Sequence, residues 1–357
     1  MALLANTAWL DEELSLFHHL IVGLLDEQVR VTQVLPDGLA MEDSRLFSDQ
    51  VFWSESRIRI LNKHRLARLG QQLDGRSVNL VHALDGRLWP GAAALADQMN
   101  LPVIFSAGSH FDVKLAEKMA STINPQRSAF VAATEPIGLA IREKLDPTIV
   151  VETILPGVHP GSVQARRRKS DDALCVVVSG NGVLDDYYQS LMQALGLFVK
   201  KHPDTQFFFD GQDSDQHRIW QIAKRLNLLA NMSFIPRRLG HREVLLRADV
   251  LVHPQPLGRS RGLTLQAMAR GIPIIAYQDA WLDYLIENET AWIVSDSNPQ
   301  SWLEYFSRLI EVPGACQELG KREQSWIREY RLASDQINRI LDLYRGLAGV
   351  AIPFPGS

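Results

Sequence analysis

The chain has 357 residues, of which 46% are hydrophobic and 22% charged, a length and balance suited to two globular domains. Its formal net charge of -4 argues against nucleic acid as a partner, because phosphate binding needs a basic surface. No apolar run reaches the roughly 18 residues of a membrane-spanning helix. The acidic residues at 11–13 follow no basic segment of the kind that opens a signal peptide, so we expect a cytoplasmic protein.

The two cysteines, Cys175 and Cys316, both fall in runs with an apolar pattern. We expect buried free thiols, because neither cysteine lies at the spacing of metal ligands. His18 and His19 lie near two glutamates on a predicted helix, again without ligand spacing, and a solvated helix face is expected there. No metal site and no separate cofactor is predicted.

The first half of the chain alternates short apolar runs with helical patterns, which predicts a parallel sheet flanked by helices. The helix predicted over Asp11–Leu25 carries Leu14, Phe17 and Ile21 on one face. A second helix is predicted over Gly91–Met99. The predicted strands are, in order, Met1–Leu4, Val29–Leu35, Asn79–Ala83, Pro102–Ser106, Ala129–Ala133 and Val150–Leu155.

A basic run, Arg166–Lys169, is followed by a serine and two aspartates and has no apolar anchor. This pattern predicts an exposed linker between two domains, over residues 1–165 and 170–334. A nucleic-acid patch is the alternative, but no aromatic residues are interleaved with the basic ones.

The second half has a clearer alternation of strands and helices. The predicted strands are Ala173–Gly180, Gln206–Gly211, Met232–Pro236, Val250–His253, Pro273–Tyr277 and Ala291–Ser295. The predicted helices are Asp186–Lys201, His217–Leu228, Arg242–Arg247 and Leu263–Arg270, and three further helical stretches follow. Two domains of this type are expected to bind ligands at the carboxyl ends of their strands.

Several segments of the second half resemble glycosyltransferase family 4, from about Leu174 to Val294. The most specific is GLTLQAMARGIPIIAY, and the others keep the order and spacing of the family. Weaker echoes occur in the first half, in NLVHALDG, LPVIFSAGSH and TILPGVHP. The segments of the second half that carry the resemblance are Lys200–Gln212, Asn231–Pro236, Leu245–Gln255 and Gly262–Tyr277.

The resemblance implies an α/β protein with the GT-B fold, in which two Rossmann-like parallel-sheet domains face a cleft. The domain over 1–165 would lie on the acceptor side and the domain over 170–334 on the nucleotide-sugar side. A terminal helix within 335–350 would return to the first domain. That segment has an apolar face at helical spacing, formed by Ile337, Ile340, Leu341 and Tyr344.

The predicted helix that begins near Gly262 and Leu263 is the expected diphosphate site. Its first N–H groups have no partner within the helix, and the helix dipole adds about half a positive charge at that end. Gly262 would also let a phosphate approach the backbone closely. The resemblance adds Gly180 and Asn181, in the loop after the first strand of this domain. The alternative is that Gly262 only begins a packed helix.

The chain departs from the family at the residues that hold the donor. The family's two donor-site glutamates, eight positions apart, fall on Gln266 and Gly258, or on Arg259 if the frame shifts by one. Gln266 can still form a ribose hydrogen bond but carries no charge. The family's arginine and lysine after the first strand are replaced by a segment with Asp185 and Asp186, and a carboxylate repels a diphosphate. The glycine-rich loop near the N-terminus and the family's GG..E stretch are replaced by NTAWLDEE and DAWLDY.

Arginines near the predicted helix offer a replacement for the missing cations. Arg259 and Arg261 flank its mouth, and arginine binds phosphate through two parallel hydrogen bonds. Arg237 and Arg238 follow the strand near which the family packs its nucleotide base. The alternative for all four is ordinary surface charge.

Two features of the first domain remain. His110 lies where the resemblance places a residue facing the sugar, which makes it a catalytic candidate, with a structural histidine as the alternative. Ser56–Leu69 combines five basic residues with leucines and isoleucines. Such a helix can lie on the anionic inner face of a membrane. An ordinary surface helix is the alternative, because it has the same pattern.

The sequence therefore predicts retaining transfer of a hexosyl unit from a nucleoside-diphosphate sugar to a lipid or saccharide acceptor. The nucleotide sugar would be the donor substrate, with no metal and no nucleic acid involved. Because the donor-site glutamates and cations are replaced, the alternative is a catalytically silent GT-B module that binds a saccharide, a nucleotide or a protein partner.

Overall fold

A computed structural model describes residues 1–39, 48–54, 59–160, 173–180, 184–210, 213–235 and 244–349. The chain forms two compact units. The first contains Met1–Gly157 and the chain from Ala333 onward, and the second contains Val158–Leu332. The second unit thus begins ahead of the predicted linker, and residues 161–172 of that linker lie outside the described residues.

The first unit is built on a seven-stranded parallel sheet in the order β3-β2-β1-β4-β5-β6-β7. All its paired strands run parallel. The strands are β1 (Ala2–Leu4), β2 (Thr32–Leu35), β3 (Asp49–Phe52), β4 (Val81–Ala83), β5 (Val103–Ala107), β6 (Ser128–Ala132) and β7 (Val150–Thr153). The helices between them are α1 (Thr7–Asp26), α2 (Arg59–Asp74), α3 (Trp89–Met99), α4 (Phe111–Met119) and α5 (Glu135–Arg142).

Helix α1 shows how the sequence pattern becomes structure. Asn6 caps it by accepting a hydrogen bond from the N–H of Trp9 at 2.9 Å. Its apolar face, which includes Phe17, Ile21 and Leu24, is buried against the sheet. Strand β3 was not predicted from the sequence, because only one of its four residues is buried and its apolar pattern is weak.

The last helix, α11 (Ala333–Ala348), belongs to the first unit. Ile337, Ile340 and Leu341 are buried in the core that α1 and the sheet also form. Tyr344 donates or accepts a hydrogen bond of 2.7 Å with Nδ1 of the buried His82 on β4. The apolar face read from the sequence is therefore the face that holds this helix to the first unit.

The second unit has a six-stranded parallel sheet in the order β10-β9-β8-β11-β12-β13. Its core is rich in aromatic side chains, among them Phe198, Phe207, Trp292 and Trp302. The strands are β8 (Cys175–Ser179), β9 (Gln206–Asp210), β10 (Met232–Ile235), β11 (Val250–His253), β12 (Ile274–Tyr277) and β13 (Trp292–Val294). The helices are α6 (Asp186–Lys201), α7 (Asp213–Arg225), α8 (Gly262–Arg270), α9 (Pro299–Glu311) and α10 (Pro313–Tyr330).

Candidate active site

The N-terminus of α8 lies next to the carboxyl end of β11, which the order of strands places between β8 and β12. Arg261 occupies the cap position in an extended conformation, and its own side chain makes no capping hydrogen bond. Helix α6 differs, because Asp185 caps it by accepting a hydrogen bond from the N–H of Tyr188 at 2.9 Å. The two helix starts thus differ in whether the side chain of the cap residue bonds to the first turn.

Arg261 points its side chain into the protein, at the carboxyl ends of β8 and β9. Its guanidinium donates hydrogen bonds to Ser179 Oγ at 2.8 Å and to Asp210 Oδ2 at 3.1 Å. A third bond, of 3.2 Å, goes to the carbonyl of Gly180. Both members of the Arg261–Asp210 ion pair are almost completely buried, with side-chain exposures of 3% and 1%. In this structure the arginine therefore neutralises Asp210 and joins two strand ends.

His253 ends β11 beneath the start of α8. Its Nδ1 lies 3.1 Å from the carbonyl of Ser179, which can only accept, so Nδ1 carries the proton. Nε2 then accepts the hydroxyl proton of Thr264, at 2.7 Å. Burial, with the nearby charge of Arg261, lowers the pKa of His253 to about 4. At neutral pH this histidine is a neutral link between β8 and α8.

Asp279, after β12, fixes the loop that leads to α8. Its Oδ2 accepts the N–H groups of Leu257 and Gly258, each at 2.8 Å, and its Oδ1 accepts that of Trp281 at 3.0 Å. Gly258 has a positive φ of 59°, a conformation that favours glycine. A glutamate, which the resemblance expects at this position, would therefore be strained by the backbone conformation.

The backbone of Arg261 is held from another side. Its N–H donates to the hydroxyl of the buried Tyr284 at 3.2 Å. The Arg331 guanidinium lies over the Tyr284 ring, 5.4 Å from its centroid, and forms an ion pair with Asp283. The segment before α8 is thus held by residues of several elements of the second unit.

The group of buried bonds around α8 belongs to a domain of known type. The family described as "Glycosyl transferases group 1" matches residues 163–326, nearly all of the second unit. An uncharacterized glycosyltransferase of Haemophilus influenzae is 21% identical over 164 residues. That match covers 45% of this chain and 44% of the relative, so it spans less than half of the relative's length.

Residues 163–326 match the group 1 glycosyltransferases, and we refer to this segment as the group 1 domain.

Solved structures of similar fold extend the comparison to both units. Alr3699/HepE of Anabaena, crystallised with UDP and glucose, has a TM-score of 0.76 at 13% identity, covering 96% of this chain and 98% of its own. Sucrose-phosphate synthase of Thermosynechococcus elongatus has a TM-score of 0.75 at 14% identity, covering 98% of both chains. The lipopolysaccharide outer core galactosyltransferase WaaB has a TM-score of 0.65 at 13% identity, covering 96% of this chain and all of its own. The GT-B fold class and the resemblance to group 1 glycosyltransferases are confirmed.

The predicted donor residues of the group 1 domain fall into three groups. Arg259 and Gln266 are half-buried beside α8, whereas Gly180 and Leu263 are buried. Gly180 leaves no room for a side chain, since a Cβ there would lie 2.6 Å from the Tyr188 ring. Asn181, Arg237 and Arg238 lie outside the described residues.

The two aspartates that replace the family's basic residues have separate surroundings. Asp185 caps α6 through one oxygen, and its other oxygen accepts a hydrogen bond of 2.6 Å from the buried Gln255. Asp186 begins the helix itself. The charge of Asp185 is thus offset by the N-terminus of α6 and by the Gln255 amide. These two bonds also hold its carboxylate in one orientation.

In the first unit, His110 directly precedes α4, and its ring packs on Phe111 with centroids 3.9 Å apart. Phe111 is 70% exposed. Asp112 accepts the N–H groups of Gly108 and Ser109, each at 2.9 Å, and so orders the loop after β5. His110 and Phe111 therefore project from an ordered loop at the carboxyl edge of the first sheet.

Sequence reasoning missed the residues that organise the group 1 domain: Asp210, His253, Asp279 and Tyr284. A charge at the end of a strand, as in FFFDG, was the available signal for Asp210.

Within the described residues, no three His, Cys, Asp or Glu side chains are grouped so as to hold a metal ion. The described helices include none with the length and hydrophobicity needed to cross a bilayer.

Proposed function

We propose that the protein transfers a hexosyl unit, with retention of configuration, from a nucleoside-diphosphate sugar to a saccharide or lipid acceptor. The observation that carries the proposal is the N-terminus of α8, whose preceding loop is held in place by buried hydrogen bonds at the carboxyl end of the sheet. The positive end of an ordered helix dipole is suited to a diphosphate. The nucleotide sugar is the donor substrate, and no separate cofactor takes part.

The diphosphate would rest on the first N–H groups of α8, with Arg259 as the adjacent cation. Arg259 is the better candidate of the two arginines because the charge of Arg261 is already matched by Asp210. Arg261 would act indirectly, by fixing the helix start and the Gly180 carbonyl. As the bond from the sugar to the diphosphate breaks, negative charge builds on the leaving group, and a helix N-terminus stabilises that charge.

The remaining donor contacts follow from position. Gln266, in the first turns of α8, would hydrogen-bond the ribose, and Asn181 would contribute from the loop after β8. Arg237 and Arg238 would lie near the nucleotide base. HepE was crystallised with UDP and with UDP-glucose, which favours a uridine nucleotide as the first donor to test. His110 is the catalytic candidate of the first unit.

The acceptor side is proposed on different grounds. A cytoplasmic enzyme with a lipid acceptor would touch the inner membrane face through Ser56–Leu69, of which the structure describes the helix from Arg59 onward. A saccharide acceptor needs no such contact. Binding of the protein to vesicles of phosphatidylglycerol and phosphatidylcholine separates these two cases.

A catalytically silent module is the second candidate, and one observation favours it. The family's donor-site glutamate is replaced by Gly258 in a left-handed conformation, so a glutamate restored at this position would strain the backbone. Such a module would bind a nucleotide, a saccharide or a protein partner without transfer.

Calorimetry with UDP and UDP-glucose tests the proposal. Arg259→Ala should weaken UDP binding at least about tenfold, because a charge-assisted contact contributes roughly 1.5–3 kcal/mol and 1.4 kcal/mol is one decade. Arg247→Ala, which removes an exposed arginine of the same unit, is the matched control and should bind as the wild type does.

Turnover is measured in a second assay, as release of UDP from UDP-glucose with a saccharide acceptor, and product configuration is read by NMR. A product with the donor's anomeric configuration supports retention, and an inverted product contradicts it. Binding of UDP without turnover favours the silent module. No binding of UDP or UDP-glucose at millimolar concentration rejects uridine donors and the proposal built on them.

A further inference from the structure

The first unit contains a pocket of about 580 Å³ between α2 and the carboxyl ends of β2 and β3. Trp53 and Ser54 line it from the segment that follows β3. Arg65, Arg68 and Arg76 line it from α2 and the turn after it. The volume lies within the roughly 300–1,000 Å³ of small-molecule sites. It belongs entirely to the first unit and shares no residue with the donor site proposed for the group 1 domain.

The lining of this pocket is rich in positive charge. Against its three guanidinium groups stands one lining carboxylate, that of Asp37. Arg76 lies 3.8 Å from Asp49, whose side chain is 62% exposed, so that pairing is weak. Arg68 forms no ion pair with any residue that the structure describes, and Arg65 donates to the backbone carbonyl of Ser54 at 2.9 Å. The net charge of the pocket favours an anion.

The uncharged part of the lining suits a sugar ring. Phe52, which is 37% exposed, offers aromatic surface, and Trp53, which is 7% exposed, adds only an edge to the lining. Gln50 and Gln72 contribute amide groups. Inorganic phosphate would need only the arginines. Aromatic faces and amides alongside arginines indicate a larger ligand, with apolar C–H faces, hydroxyl groups and an anionic group.

The pocket lies at the carboxyl ends of the same parallel sheet whose strand β5 leads to His110. Strand β3 is two strands from β1 and four strands from β5, after which His110 follows. At about 4.8 Å between strands, these separations are roughly 10 Å and 19 Å. An oligosaccharide of a few units can span such distances.

We infer that this arginine-lined pocket binds the anionic group, a carboxylate, sulfate or phosphate, of a saccharide acceptor. The role of this saccharide as acceptor rests on the proposed function, whereas its binding to the pocket does not. Recognition would occur away from the reacting hydroxyl, so the pocket would select which saccharides are extended.

The test variant is Arg65→Gln/Arg68→Gln, and the control is Lys118→Gln/Lys144→Gln. The control removes the same charge from exposed positions of the same unit that do not line the pocket. The probes are a sulfated oligosaccharide and its unsulfated counterpart, measured by calorimetry without nucleotide. We expect the wild type to prefer the sulfated probe, the test variant to bind it about tenfold more weakly, and the control to be unchanged. Affinity should fall as salt rises, because these groups are partly exposed.

Several results would overturn the inference. They are equal binding of both probes, equal binding by wild type and test variant, and absence of binding by the wild type. If the test variant loses binding only to vesicles of phosphatidylglycerol and phosphatidylcholine, the arginines recognise a lipid headgroup and the saccharide assignment is wrong. Circular dichroism of each variant checks that it is folded, and titration with UDP checks its donor site. A protein that binds the sulfated probe but no UDP would reject the proposed donor and leave the pocket assignment standing.

Discussion

The buried ion pair between Arg261 and Asp210 is expected to dominate the stability of the group 1 domain's site. Arg261→Met removes the guanidinium and leaves the Asp210 carboxylate, 1% exposed, without its cation. Breaking one side of a buried pair costs about 3–5 kcal/mol, because the remaining charge is not solvated. The loss should exceed that of typical surface substitutions, which stay within about 0.5 kcal/mol.

The double variant Asp210→Leu/Arg261→Met separates the cost of an orphaned charge from the cost of lost packing. Replacing both members by apolar side chains removes the buried charges together, so most of the stability should return. A double-mutant cycle should then give a coupling energy of at least about 2 kcal/mol. The hydrogen bonds to Ser179 and the Gly180 carbonyl would still be missing, so full recovery is not expected.

Urea denaturation is monitored by hydrogen exchange in peptides from β8 and β9. It gives the free energy of unfolding of the second unit separately from that of the first. Arg225→Met, at an exposed position of the same unit, is the control. The reasoning is refuted if Arg261→Met costs less than about 1 kcal/mol. It is equally refuted if the double variant is as unstable as the two single variants added together.

Three further outcomes are expected. Gly258→Glu should destabilise the second unit by about 1–2 kcal/mol, because a residue with a Cβ is strained at a φ of 59°, and Gly258→Asn should cost less; denaturation of both variants measures the difference. The pKa of His253 is about 4 in the folded protein against an ordinary 6.5, so between these values only the unfolded chain takes up the proton. The contribution of neutral His253 to the stability of the fold is therefore complete above pH 6.5 and is lost as the pH falls toward 4. His253→Gln should flatten that part of the stability profile, and an unchanged slope would assign the pH dependence to other groups. Tyr344→Phe should cost about 1–2 kcal/mol in the first unit, since His82 loses a buried hydrogen bond, and thermal unfolding that matches wild type would contradict this.

Local pattern was sufficient for most of the elements. Asp186–Lys201 and Val250–His253 were predicted with the bounds that α6 and β11 have, because a capping aspartate and a short apolar run mark their ends. Strand β3 and helices α4 and α5 were not predicted. The helices are short, with nine and eight residues, and most of β3 is not buried, so their apolar patterns are weak.

The sequence by itself determined that two parallel sheets form, that a helix begins near Gly262, and that the family's donor-site glutamates and cations are replaced. It could not determine where the replacement charges point. Arg261 stands next to Gly262 in the chain, yet its guanidinium is bound to Asp210 and Ser179. The pairing of Ser179 with Asp210 on adjacent parallel strands brings those two side chains together beside Arg261. Because a buried guanidinium is costly without a carboxylate partner, the tertiary structure decided that Arg261 pairs with Asp210.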